Sequence, residues 1–270
     1  MRQFIASTMP DSNGKLLVCG KDFKYLKQVL RLSTNDVIQV RLPSGELQSM
    51  IIGNVGNKNI VLVVDNNSEK NQETGVLASE IQNEFVETKI WLFQFLPKAQ
   101  KMDQIVRQAT EAGVSFIVPI VASRSQGNDS LERIDRWSRI IKEARQQSGS
   151  PVETKIFPSI TLANAMDLWK KECGSLSCSI VMYEENKESV PLHTCLHNNN
   201  EKTFSNIALA VGCEGGIAQN EFELLKDTGF IPVHFKTNIL RAETAAIYGI
   251  AAIQTLVTEK KIWQLKESIC

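Results

Sequence analysis

The sequence predicts an α/β chain in two parts, a small N-terminal β-barrel and then a larger domain of parallel βαβ units. Three observations carry this. Short apolar runs separated by turn residues fill the chain from Met1 to about Val64. A polar, punctuated stretch, Asp65 to Gly75 (DNNSEKNQETG), then reads as a linker. After it, strand-like and helix-like segments alternate almost to the end. The expected domains are therefore residues 1–70 and 76–270.

In the first part, Phe4-Ile5-Ala6, Leu16-Leu17-Val18, Val37 to Val40, Leu47 to Ile52 and Ile60 to Val64 are the strand candidates. Asn13-Gly14, Pro43-Ser44-Gly45 and Gly56-Asn57 supply the turns between them. The exception is Asp22 to Leu32, where Phe23, Leu26, Val29 and Leu30 recur at helical spacing. Several short strands with one helix suggest a small barrel. Lys21, Lys24, Lys27 and Arg31 gather on and around that helix, either as a solvated face or as a basic patch.

In the second part, Lys89 to Phe95 reads as a strand. Lys101 to Ala112 follows as a helix with Met102, Ile105, Val106 and Ala109 on one face. Ser115 to Val121 is a strand and Ile134 to Gln147 a helix; Ile160 to Lys171 and Ser179 to Tyr183 continue the alternation. Ile207 to Val211 has the unbroken apolar character of a buried parallel strand. A helix-prone segment, Ala218 to Lys226, follows with Asn220 as its candidate N-cap. Phe230 to Phe235 is a further apolar run, and Ala246 to Thr258 a mostly apolar closing helix.

Composition narrows the function. Hydrophobic residues make up 43% and charged residues 22%, with zero formal net charge, so nucleic-acid binding would rest on local basic patches. No apolar run approaches a membrane span, and MRQFIASTMPDSNGK lacks the apolar core of a signal peptide. The six cysteines form no C-x-x-C pair. Cys173, Cys178, His193, Cys195 and His197 are close enough to raise zinc, but their irregular spacing favours no metal and reduced, cytoplasmic thiols.

The candidate site lies between Ala208 and Ala246. The run ending at Val211 breaks into Gly212-Cys213-Glu214-Gly215-Gly216, a loop with little bulk and one carboxylate. The next apolar run ends at Lys236-Thr237-Asn238, followed by Ile239-Leu240-Arg241-Ala242-Glu243-Thr244-Ala245. Ligands of open α/β sheets sit where strand carboxyl ends meet helix starts, and glycine lets the backbone approach them. The spacing fits neither a dinucleotide fingerprint nor a phosphate loop. Arg124, just past a strand in Ala122-Ser123-Arg124-Ser125, either holds an anion or carbonyl oxygen or makes a surface ion pair. Arg136 to Ser148 places basic residues around Trp137, which is either RNA-facing or packed inward. Arg241 and Glu243, two apart, each need a separate partner, with Arg241 a candidate brace for the glycine-rich loop.

Taken in order, these motifs resemble a known family. They are Met1-Arg2-x-Phe4, Val29-Leu30-Arg31-Leu32, Leu96-Pro97-Lys98 with Met102-Asp103, and Ala109-Thr110-Glu111-Ala112-Gly113-Val114. Pro119, Ser123-Arg124-Ser125, Arg136-Trp137, Glu143-Ala144 and Gln147-Ser148 come next. Gly212-x-Glu214-Gly215-Gly216 and Ile239-Leu240-Arg241-x-Glu243-Thr244-Ala245 complete the set. The chain resembles, from Met1 to about Thr258, the bacterial 16S (small-subunit) ribosomal RNA uridine N3-methyltransferases of the SPOUT superfamily. The resemblance implies a PUA-like RNA-binding barrel, a SPOUT α/β domain with a deep trefoil knot, a homodimer, and S-adenosylmethionine bound in the knot.

By the same resemblance the cofactor positions are Tyr183, Glu184, Leu209, Val211, Gly212, Glu214, Gly215, Gly216, Asn238, Ile239, Leu240, Arg241, Glu243, Thr244 and Ala245. Arg124 is the first candidate to stabilise charge developing on uracil, and Glu214 a weaker candidate for base or orienter. Arg2, Lys24, Lys27, Arg31, Lys98, Arg136 and Arg139 are the RNA contacts, to ribosomal RNA or the assembled small subunit. The chain departs from the usual pattern at Cys213 (Pro), Ala112 (Leu), Ala242 (Thr), Lys24-Tyr25 (His-His) and Phe235-Lys236-Thr237-Asn238 (Leu-Gly-x-Arg). Two rivals stand beside this reading. One is a SPOUT enzyme acting on another RNA or on ribose 2′-hydroxyls, the other a ribosome-binding protein without catalysis.

Overall fold

The computed structural model describes residues 3–65, 88–125, 131–184, 189–196, 204–235 and 237–267, without the side chains of 131, 132 and 260–267. Arg2, Lys236 and all of the expected linker except Asp65 lie outside these residues. The chain forms two compact units, one within Met1–Phe85 with Gln146–Pro151, the other within Val86–Arg145 with Val152–Cys270.

The first unit is a curled sheet of five strands: β1 (Gln3–Ile5), β2 (Lys15–Cys19), β3 (Val37–Arg41), β4 (Leu47–Val55) and β5 (Asn59–Val64). They lie in the order β1-β3-β4-β5-β2, with β1 parallel to β3 and the other pairs antiparallel. Alternation along the strands puts Leu16, Val18, Ile38, Val40, Met50, Ile52, Ile60 and Leu62 inside with Phe4 and Leu26. Between β2 and β3 comes a short helix, α1 (Gly20–Lys24), which continues as a π-helical turn, Tyr25–Val29. The helix expected over Asp22 to Leu32 is therefore shorter and differently phased. The Leu30 N–H bonds back to the Tyr25 carbonyl, five residues away, so the turn widens and Val29 is left exposed while Phe23 and Leu26 stay buried. Arg31, with φ 56°, ends the run in the left-handed region.

The second unit is a parallel sheet of β6 (Lys89–Phe95), β7 (Phe116–Val121), β8 (Lys155–Ile156), β10 (Ser177–Met182), β11 (Asn206–Val211) and β12 (Ile231–Val233), with the two-residue β9 (Ile160–Thr161) beside β7. Its helices are α2 (Ala99–Glu111), α3 (Leu131–Ser148), α4 (Leu162–Glu172), α5 (Leu192–Leu196), α6 (Gln219–Asp227) and α7 (Ala242–Glu267). The order β12-β10-β11-β6-β7-β8 seats β11 between two strands made earlier in the chain. β11 reads Asn-Ile-Ala-Leu-Ala-Val because both its faces are covered. Ile207, Leu209 and Val211 pack in one core with α2 and α7, and Ala208 and Ala210 pack in the other, beneath Phe93, Trp169 and Phe230.

Two local expectations are corrected. Asn220 does not cap α6: Ala218 is the N-cap, and the first-turn Glu221 accepts its N–H through Oε2 at 3.0 Å. The closing helix begins at Ala242 rather than Ala246, so Glu243, Thr244 and Ala245 belong to its first turn. Trp137 packs inward, 2% exposed, with its indole N–H 3.2 Å from Asp103 Oδ1.

Candidate functional site

The carboxyl ends of β10, β11 and β12 meet the starts of α2 and α7 around one cavity of about 300 Å³. One wall is Met182, Tyr183 and Glu184 after β10, and another is Val211 to Glu214 with Gly216 and Ile217 after β11. Val233, His234 and Phe235 lead from β12 into Thr237, Asn238, Ile239, Leu240 and Arg241, and α7 closes the site with Ala242 and Ala245.

The glycine-rich loop is a tight turn. The Gly216 N–H donates to the Cys213 carbonyl at 3.0 Å, and Gly216, at φ +72°, sits where a side chain would strain the backbone. A Cβ on Gly212 would lie 3.2 Å from both the Gly216 carbonyl carbon and Ile217 Cγ1. Beneath the loop, the buried Gln94 donates through Nε2 to the carbonyls of Val211 and Gly212 (3.3 Å each) and of Phe95 (2.9 Å). Sequence reading missed Gln94; the signal was a lone amide in an otherwise apolar strand.

Three charged side chains tie the elements together. Lys101 Nζ lies 3.2 Å from Glu214 Oε1 and 3.4 Å from Glu243 Oε2, joining α2 to the loop and to α7. The hydrogen bond to Glu214 raises the Lys101 pKa above the usual lysine range. Burial pushes the Glu214 carboxyl up, but its own N–H, Lys101 and the Lys98 N–H together hold it below the usual carboxylate range. Glu243 thus finds the separate partner its spacing implied.

Arg124 reaches the loop from the end of β7. Its Nη1 donates to the Gly215 carbonyl at 2.8 Å, and a Cβ on Gly215 would stand 3.2 Å from Arg124 Cβ. The Cys213 thiol lies 3.2 Å from the Arg124 carbonyl, and burial raises its pKa. Ser123, one residue before, donates its N–H and its hydroxyl to Glu221 Oε1 at 2.8 and 2.9 Å.

Of the fifteen positions expected to hold the cofactor, the cavity brings together Tyr183, Glu184, Val211, Gly212, Glu214, Gly216, Asn238, Ile239, Leu240, Arg241 and Ala245. Four stand outside its lining among the described residues. Leu209 is fully buried because its side of β11 faces the α2 and α7 core. Gly215 faces Arg124, Glu243 faces Lys101, and Thr244 is exposed on the first turn of α7. The loop is braced by hydrogen bonds from Gln94, Arg124 and the Lys98 N–H and by the Lys101 ion pair, while Arg241, the expected brace, stands exposed at the rim. Lys101, Met182, Cys213, Ile217, Val233, His234, Phe235, Thr237 and Ala242 line the cavity in addition. His234 Nδ1 lies 3.2 Å from the Tyr183 carbonyl, which fixes the ring against β10.

The expected RNA contacts are spread over both units. Lys24, Lys27 and Arg31 are exposed in the first, with Lys27 Nζ 5.3 Å above the Phe23 ring. In the second, Lys98 is exposed, Arg139 donates to the Asp135 carbonyl at 3.1 Å, and Arg136 is gripped by Asp103 at 2.6 and 2.9 Å. No group of three or more metal-binding side chains occurs among the described residues, and no helix there is long and apolar enough to cross a membrane.

Comparison with known proteins places this geometry. Residues 84–254 match the model of the RNA methyltransferase domain. A ribosomal RNA small subunit methyltransferase E 2 of Borreliella burgdorferi is 30% identical over 243 residues, spanning 88% of this chain and 90% of that protein. The chain belongs to the ribosomal RNA small subunit methyltransferase E family. Another member, from Aquifex aeolicus, is 29% identical over 66% of this chain and 74% of its own. The fold matches the crystal structure of the Neisseria gonorrhoeae member bound to S-adenosyl methionine, with TM-score 0.75 and 23% identity over 95% of this chain and 98% of that one. In this methyltransferase family member the cavity lies where an open α/β sheet offers a ligand site.

Proposed function

We propose that this enzyme transfers a methyl group from S-adenosylmethionine to N3 of a uridine in small-subunit ribosomal RNA. The observation that carries the reading is the cavity itself. Two segments, the glycine-rich Gly212 to Gly216 and the side-chain-bearing Thr237 to Arg241, line a space of the size a nucleoside-bearing cofactor needs. Gly216 lines the cavity at φ +72°, a conformation that favours glycine, so no side chain stands between its backbone and a ligand. Glu184 would answer the cofactor's positive charges, and Arg241 with the first-turn amides of α7 its carboxylate. Ile239, 88% exposed, offers an apolar surface that a ligand would cover. When bound, the cofactor supplies an activated methyl group, which leaves alignment and charge stabilisation to the protein.

Arg124 would present guanidinium N–H groups to uracil O2 or O4 and stabilise the anion formed as N3 loses its proton. The ion pair with Lys101 weakens Glu214 as a proton acceptor, so its part is to orient the loop more than to act as the base. A paired uridine would have to leave its stack before reaching the cavity. Lys24, Lys27 and Arg31 on the first unit and Lys98 and Arg139 on the second would contribute phosphate contacts and affinity. The same family reading makes the curled sheet a PUA-like barrel and the enzyme a cytoplasmic homodimer. It makes the seating of β11 between β6 and β10 part of a trefoil knot.

The test supplies labelled cofactor and undermethylated small subunits, alongside naked RNA. Label is expected at uridine N3; label at another base or a ribose overturns the assignment. Arg124→Ala is expected to lower turnover about 100-fold or more, the effect of losing one donor to a developing oxyanion, and to weaken cofactor binding far less.

A further inference from the structure

We propose that Glu221 is a positioning residue for methyl transfer, holding Arg124 at the cofactor loop. This rests on the reading of Arg124 above. Glu221 sits in the first turn of α6 and is only 7% exposed, yet its carboxylate has three hydrogen-bond donors and no cationic partner among the described residues. One oxygen, Oε2, takes the N–H of its own helix cap, Ala218, at 3.0 Å. A helix cap needs no more. The other, Oε1, takes both the N–H and the hydroxyl of Ser123, 98 residues earlier in the chain, at 2.8 and 2.9 Å.

Ser123 is joined to Arg124, so both atoms that fix Ser123 fix the start of the Arg124 side chain. The far end of Arg124 is fixed by the Gly215 carbonyl at 2.8 Å, and its carbonyl faces the Cys213 thiol at 3.2 Å. Without Glu221, the Ser123–Arg124 backbone would keep the turn bonds between Ala122 and Ser125 and the arginine's own contacts. It would lose both bonds that tie it to α6, and with them the fixed starting point of the guanidinium. A carboxylate suits the task because it only accepts. An amide in its place would have to turn an N–H toward either Ser123 or Ala218, both of which donate.

The experiment compares Glu221→Gln, Arg124→Ala and the double variant by kcat and KM for small subunits, by cofactor Kd, and by tryptic cleavage after Arg124 in free protein. Glu221→Gln is expected to lower kcat about 100-fold, the scale of a displaced catalytic group, with cofactor Kd within about threefold of the parent. The double variant is expected to be no slower than Arg124→Ala, because both changes remove one function. Cleavage after Arg124 is expected to quicken at least about tenfold as the segment loosens, a readout independent of turnover. Ser123→Ala leaves the helix cap intact and should give about a 3–10-fold loss of kcat, that of one hydrogen bond. Multiplying losses in the double variant, or unchanged cleavage in Glu221→Gln, overturn the proposal. Full turnover in Arg124→Ala instead overturns the functional reading on which it stands.

Discussion

At the scale of single residues, the site is governed by side chains that hold the loop. Gly215 shows how little room there is. Its backbone is in an ordinary region, but an added Cβ would lie 3.2 Å from Arg124 Cβ and 3.4 Å from its Cδ. Gly215→Ala is therefore expected to push the arginine rather than strain the chain. Turnover should fall about tenfold or more, since small displacements of an aligned group are costly. The melting temperature should hardly change, and steady-state kinetics beside thermal denaturation check both. The Lys101–Glu214 pair makes a second prediction. Glu214's carboxyl is lower in the folded protein than in the unfolded chain, so its contribution is present above the usual carboxylate range and lost as pH falls through the lowered value. Lys101 is raised, so its contribution is complete up to the usual lysine range and lost only above it. Stability should thus stay flat through neutral pH and weaken in acid. In Glu214→Gln the acid limb should shrink, which thermal denaturation across pH would reveal.

Among the elements, the last helix carries most of the burden. α7 packs on β11 through Gly249, where an added Cβ would stand 2.8 Å from Met182 Sδ and 2.9 Å from Leu209 Cδ2. An alanine there would gain roughly 1 kcal/mol of helix propensity and could push aside two flexible side-chain ends. A leucine cannot be placed without lifting the helix. Gly249→Leu is expected to cost about 1–3 kcal/mol, lowering the melting temperature by several degrees. It should also weaken cofactor binding, because the first turn of α7 carries Ala242 and Ala245 into the cavity. Differential scanning fluorimetry with and without cofactor separates the two losses. Elements of this kind were largely legible: Lys89 to Phe95, Phe116 to Val121 and Asn206 to Val211 announce themselves as apolar runs, and α2 by its one-sided stripe. What local pattern could not carry was phase and capping. The π-turn at Tyr25–Val29 depends on a bond five residues back, and Ala218 caps α6 only because Glu221 reaches back to it.

For the whole molecule, the least legible feature was strand order. Apolar runs say that β10, β11 and β12 exist, not that β11 enters between β10 and β6, because both neighbours suit it equally in hydrophobicity. The site shares that limit. Gly212 to Gly216 and Ile239 to Ala245 could be marked from local composition, whereas Gln94, Lys101 and Glu221 acquire their roles only from contacts spanning about a hundred residues. The chain's two units each have their own core: Phe4, Leu26, Met50 and Ile52 in the first, and Leu92, Ile180, Leu209 and Ile250 among those of the second. All the residues that line the cavity belong to the second. A ligand that binds only the folded form of this unit stabilises it by mass action, about 2.7 kcal/mol at a hundred times its Kd. Saturating S-adenosylmethionine should therefore slow amide hydrogen exchange in β11, in the loop after it and in the first turns of α7. Exchange in β3, β4 and β5 should keep its rate, since local opening there breaks none of the ligand's contacts. Equal protection of both sets would mean that the cofactor's binding energy is distributed over the whole chain, and the assignment of the site to one unit would have to be abandoned.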